Sequence, residues 1–89
     1  MRLSDTIDLM SSPDYRDRMK AEYLQVKIRR DALHEMCVKY EAGTLKFEPT
    51  CSLDLLKKQE TIMNQYLYML EIRASLEGIV LDKGEELQQ

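Results

Sequence analysis

The densest positive run in this sequence is Lys27, Ile28, Arg29 and Arg30. Tyr23 stands one helical turn before it, and Tyr66 and Tyr68 follow later in the chain. A guanidinium grips phosphate through paired N–H donors, and a tyrosine ring stacks on a planar base. Arg29 or Arg30 for phosphate, with Tyr23 or Tyr66 for stacking, is therefore a candidate site for an anionic, aromatic ligand. The plainer reading of the run is a solvated face, and a Tyr/Arg surface equally suits a protein interface. A second group lies in Thr44, Lys46, Phe47, Pro49 and Thr50. Lys46, Thr44 and Thr50 can offer donors at a ligand's rim while Phe47, the sole phenylalanine, stacks; otherwise Phe47 plugs the open end of a hairpin. The stretch lacks the glycine spacing of a phosphate loop. The third group is His34, Cys37 and Cys51. A closed zinc site needs a fourth ligand, and Cys–His catalysis needs an oriented base and an oxyanion site. Neither is in view, so the expectation is no metal, no cofactor and no enzymatic activity. Glu22 and Arg73 read as a structural ion pair, because charges within a helix seam need partners.

Rigid elements must hold these side chains. Residues 1–11 form a polar lead-in, with Ser4 as cap of a short turn and Leu3, Ile7 and Met10 on its inner side. Ser12 as N-cap and Pro13 at the first helical position start a long helix over 13–42. Gly43 closes it in the left-handed conformation. Tyr15, Met19, Tyr23, Val26, Leu33, Cys37 and Tyr40 recur on one face. A connection over 43–52 contains Pro49, which has no N–H and disfavours helix before it. Ser52 or Thr50 then caps a second helix over 53–77, whose seam is Leu56, Met63, Leu67, Leu70 and Ala74. Gly78 stops it. In the tail, 78–89, Ile79–Leu81 fold back on the bundle and the last seven residues fray.

The chain has 89 residues and a mass of 10.5 kDa, with 3 Gly and 2 Pro, too few breakers for a sheet-rich fold. The expectation is a single all-α domain over 1–89, an antiparallel two-helix hairpin with a short N-terminal segment. Opposed residues have numbers adding to about 95 in such a hairpin, which sets Leu33 by Ile62, Val26 by Met69, Tyr40 by Leu55 and Met19 by Leu76. Both helices carry further apolar surface: Ala21, Leu24, Ile28, Ala32 and Val38 on the first, and Leu55, Ile62, Met69, Ile72 and Leu76 on the second. A helix apolar on two sides needs two neighbours. A homo-oligomeric helical bundle is therefore expected. Net charge −3 and pI 5.1 make nucleic acid an unlikely partner. The first ten residues are too polar for a signal peptide, and no run is long and apolar enough to span a membrane. The two cysteines read as free thiols of a reducing cytoplasm.

The phrases DYRDRMKAEY, AGTLKFEPTC, LLKKQ and MNQYLYMLEIRASLEGI resemble a family of small helical proteins from phages and prophages, named from a crAss-like phage of gut bacteria. The resemblance covers residues 14–81. It rests on Tyr15, Arg18, Glu22 and Tyr23 in the first helix, and on Gln59, Met63, Tyr66, Leu70, Glu71 and Arg73 in the second. It implies a viral origin and a place among counter-defence proteins. One implied role is the sequestration of a small cyclic-nucleotide immune signal between subunits of the oligomer. The other is a protein-interaction module that inhibits a host defence protein or scaffolds a phage complex.

Overall fold

The computed structural model describes residues 1–81. A 3-10 turn (Leu3–Thr6) runs into the short helix α1 (Ile7–Met10), followed by two long helices, α2 (Tyr15–Ala42) and α3 (Leu53–Glu77). There is no strand among the described residues. Residues 82–89, where the fraying end was expected, lie outside the described part.

The ends of the long helices follow from local chemistry. The N-cap of α2 is Asp14, whose carboxylate accepts from the Arg16 backbone N–H at 3.0 Å. That bond and the adjoining Arg16 guanidinium hold the carboxyl below its usual range. The helix thus begins two residues later than a Ser12 cap would start it. Ser12 instead accepts from the Asp14 N–H and donates to Asp17 at 2.8 Å, so it braces the cap rather than forming it. Ser52 caps α3 by accepting from the Leu55 N–H at 3.2 Å. Gly43 and Gly78 close the two helices at φ 76° and 70°. At the first, Thr44 N–H reaches Lys39 O at 2.9 Å and Gly43 N–H reaches Tyr40 O at 3.2 Å, which satisfies carbonyls the helix would leave unpaired. A Cβ added at Gly43 meets nothing within 4 Å. Gly43→Ala is therefore expected to cost only the left-handed backbone strain, about 1 kcal/mol, read as a lower denaturation midpoint with unchanged helicity.

α2 and α3 run antiparallel. Tyr23–Glu71, Arg30–Asn64 and His34–Glu60 bond across them, each pair of numbers adding to 94. The offset is close to that read from the sequence, and the inner row of α3 is the seam read there; only the opposed pairs drawn from its other apolar row differ. Leu56, Leu67, Leu70 and Ala74 turn inward, whereas Leu55, Ile62, Met69 and Leu76 turn out, Ile62 being 59% exposed and Leu76 82%. The pairs Leu33–Ile62, Val26–Met69, Tyr40–Leu55 and Met19–Leu76 therefore do not make the buried seam. Two rows of apolar residues compete on α3, and the polar bonds that flank the inner row select it.

The core lies toward one end. Met19, Tyr23, Leu24, Leu67, Leu70, Ala74 and Ile79 form one cluster, with Leu9, Val26 and Leu81 packed against it. There the N-terminal segment adds a third layer over the back of α2. It is anchored by fully buried Thr6, whose hydroxyl donates to Leu3 O at 2.7 Å and accepts from Gln25 at 2.8 Å. The inward residues of the segment are thus Thr6 and Leu9, and Leu3, Ile7 and Met10 are exposed. Arg2 and Asp5, not Ser4, exchange the capping bonds. Ala21 and Leu24 on the second side of α2 are buried, while Ala32 and Val38 stay exposed. The molecule measures 42 × 25 × 25 Å with a radius of gyration of 15.1 Å. A compact chain of this length would have about 12 Å, so the fold is a rod.

Candidate functional site

Midway along the rod, two rows of side chains face each other across the seam. Tyr23, Lys27 and Arg30 sit at i, i+4 and i+7 on α2, and Asn64, Tyr68 and Glu71 repeat that spacing on α3. Such spacing stacks residues on one flank of a helix. With Leu67 as apolar floor they enclose a cleft of about 340 Å³. Tyr23 Oη donates to Glu71 Oε2 at 2.7 Å at one end. Arg30 Nη1 donates to Asn64 Oδ1 at 2.8 Å at the other, and its Nε donates to Asp31 Oδ1 at 2.8 Å. Lys27 Nζ lies 5.9 Å from the centroid of the Tyr23 ring, within cation–π range. Tyr68, 64% exposed, stands at the mouth. The cleft thus holds two cations, an open aromatic ring and amide and carboxylate acceptors. That set can take an anionic group at Arg30 and stack a planar ring on Tyr68.

Arg30 and Tyr23 come together here, but Tyr23 is 4% exposed. Its ring belongs to the core, and it presents a hydroxyl rather than a stacking face. Arg29 is exposed and, one residue on, points about 100° away around α2. Tyr66 lies two residues, or about 200°, from both Asn64 and Tyr68, on the other flank of α3. Lys46, Phe47 and Thr50 are exposed in the connection. The connection begins at Gly43, about 20 Å along α2 from Arg30, so within one chain it does not form the rim of this cleft. Phe47 is 58% exposed and lines a separate hollow of about 310 Å³ with Tyr40, Leu45 and Pro49; it does not plug the hairpin. Arg73 pairs along its own helix with Glu77 at 3.9 Å, and Glu77 also accepts from the Tyr15 hydroxyl at 2.9 Å. The acid that crosses to α2 at this level is Glu71, to Tyr23, so the expected Glu22–Arg73 bridge is replaced by these contacts. Tyr68 was named from the sequence with Tyr23 and Tyr66 but not given the stacking role, and Asn64 and Glu71 were not singled out as site residues. The matched rows on the two helices were the available signal.

A wider hollow of about 460 Å³ lies nearer the connection, lined by His34, Cys37, Val38, Glu41, Lys57 and Glu60. Its polar groups satisfy one another: His34 Nδ1 lies 2.8 Å from Glu60, and Lys57 Nζ 3.0 Å from Glu41. Burial, followed by the charge of Glu60, pushes the Cys37 thiol up, which disfavours the reactive thiolate. Both cysteines are free. Among the described residues, no three His, Cys, Asp or Glu side chains are placed to hold a metal ion. No helix among them is long and apolar enough to cross a membrane.

The fold and cleft define a small all-α helical hairpin with a polar ligand-sized groove between its two long helices. The family model described as Sequestin matches residues 13–76, from the turn before α2 almost to the end of α3, and the chain belongs to the Sequestin family. No curated protein and no solved structure matches it.

Proposed function

We propose that this chain is a phage-encoded, non-catalytic binding protein that sequesters a small cyclic-nucleotide immune signal in the cytoplasm of a bacterial host. The observation that carries the reading is the cleft of Tyr23, Lys27, Arg30, Asn64, Tyr68 and Glu71, where a guanidinium and an exposed tyrosine are held side by side. The family's name, which speaks of sequestering, supports it. Arg30 takes a phosphate through donors beyond those bound to Asp31 and Asn64, Tyr68 stacks the base, and Asn64 and Glu71 accept from its edge. The functional unit is a homo-oligomer, with the cleft opening onto a subunit boundary. Lys46, Phe47 and Thr50 reach a cleft only when a neighbouring subunit supplies them.

A ligand that binds only the folded chain raises stability by mass action, by about 2.7 kcal/mol at a hundredfold excess over Kd. For a domain of this size that corresponds to a melting-point rise of at least about 10 °C. A panel of cyclic mono-, di- and trinucleotides and cyclic ADP-ribose isomers is expected to contain at least one compound with that effect. A panel that leaves the melting temperature unmoved refutes the reading. The outer face of α3 favours a second reading, a protein-interaction module directed at a host defence protein. A stoichiometric host protein retained from lysate, with no co-purified ultraviolet-absorbing small molecule, would select it.

A further inference from the structure

The two ends of the rod are held by different means. The buried cluster and the N-terminal layer serve the end where α2 begins and α3 stops. Among the described residues from 31 to 63, only Cys37 and Leu56 are buried, and neither belongs to that cluster. The hollow of about 460 Å³ beside Cys37 lies between the helices here. Polar ties cross the seam in this half: Arg30–Asn64 at its border, then His34–Glu60 at 2.8 Å and Lys57–Glu41 at 3.0 Å. The His34, Lys57 and Glu41 side chains are each more than half exposed. Charge pairs so open to water add little stability and are screened by salt. Nor does the connection clamp this end. Residues 43–52 are mostly exposed, and ten residues can span up to about 33 Å. A segment with few buried apolar side chains and solvent-facing bonds opens more readily than the rest of its fold.

We infer that the connection half of the hairpin, residues 31–63, opens as a unit of its own while the clustered end stays packed. The cluster is the pivot, and Arg30–Asn64 is the border bond. The Arg30 end of the cleft is therefore its moving wall. The Tyr23–Glu71 end is fixed, because Tyr23 belongs to the cluster. Opening parts Arg30 from Asn64, widens the cleft and uncovers the Cys37 thiol, which is 6% exposed while the helices are together. None of this needs a bound molecule, so the inference stands apart from the ligand reading.

Amide hydrogen exchange is expected to run on the order of 100-fold faster over 31–42 and 53–63 than over 19–24 and 67–74. A Cys51→Ser chain keeps Cys37 as its one thiol, and iodoacetamide labelling of that thiol under native conditions reports the opening. Raising salt from about 0.05 to 0.5 M is expected to speed labelling several-fold, by screening the charge pairs. Leu70→Ala, which weakens the cluster but not this half, is expected to leave the labelling rate within about twofold, and so is urea well below the unfolding midpoint. The urea arm needs no core variant. If global unfolding were the only route to Cys37, the rate would climb with Leu70→Ala and with urea in step with the loss of stability. That result overturns the proposal, as does even protection along both helices, labelling indifferent to salt, or no labelling short of unfolding.

Discussion

Replacing Arg30 with glutamate is expected to abolish the thermal stabilisation that a bound cyclic nucleotide confers on this chain. The guanidinium is held by bonds to Asp31 along α2 and to Asn64 across the seam, with its side chain 29% exposed. A charge-assisted hydrogen bond is worth about 1.5–3 kcal/mol, and each 1.4 kcal/mol is about tenfold in affinity. Arg30→Gln, which keeps an amide for Asn64, should weaken binding on the order of 10- to 100-fold. Glutamate does more, because it places a third carboxylate near Asp31 and Glu71 and repels the phosphate outright. Lys39→Gln removes the same charge from a site paired with Glu35 and about 13 Å further along α2. Its effect on affinity should be no more than a few fold, and smaller at high salt. Calorimetric titration of the three variants separates the cases. Equal losses for Lys39→Gln and Arg30→Gln would mean that net charge, not the cleft, attracts the ligand.

What the sequence made legible here is mostly local. Gly43, Gly78 and Ser52 act on their immediate neighbours, so the ends they set could be read from their types alone. The start of α2 was harder, because Ser12 and Asp14 are both good caps two residues apart. The choice of Asp14 depends on Ser12 bracing it through Asp17. The inner row of α3, Leu56, Leu67, Leu70 and Ala74, was legible as its seam, but not which residues of α2 it meets, because a second apolar row from Leu55 to Leu76 offered rival pairs. The selection comes from Tyr23, Arg30 and His34 on α2, whose partners Glu71, Asn64 and Glu60 flank the inner row. The cleft was half legible for the same reason. Arg30 and Tyr23 are conspicuous by type, but Asn64 and Tyr68 gain meaning only once the antiparallel offset sets them opposite. Lys46 and Thr50 have the right chemistry at the wrong distance, set by the length of α2.

Leu70→Ala is the substitution expected to harm the fold most. Leu70 is 2% exposed and belongs to the cluster that joins Met19 and Tyr23 of α2 to Ala74 and Ile79 of the α3 terminus. Truncation there removes the transfer energy of the lost atoms and leaves a hole that two rigid helices cannot close. Comparable changes cost about 2–5 kcal/mol. At about 4–8 °C per kcal/mol for a domain of this size, a loss of about 3 kcal/mol lowers the melting temperature by roughly 12–24 °C. The core cluster is small and lies toward one end of the rod, so the loss falls on a large share of it. Val38→Ala deletes apolar atoms from the exposed side of α2 and should stay within about 0.5 kcal/mol. Chemical denaturation of the two variants therefore tests which row of α3 faces inward. If Leu70→Ala were as mild as Val38→Ala, the helix would have to be turned to bury the Leu55–Leu76 row. Tyr23 and Arg30 would then lose Glu71 and Asn64, and the cleft with them.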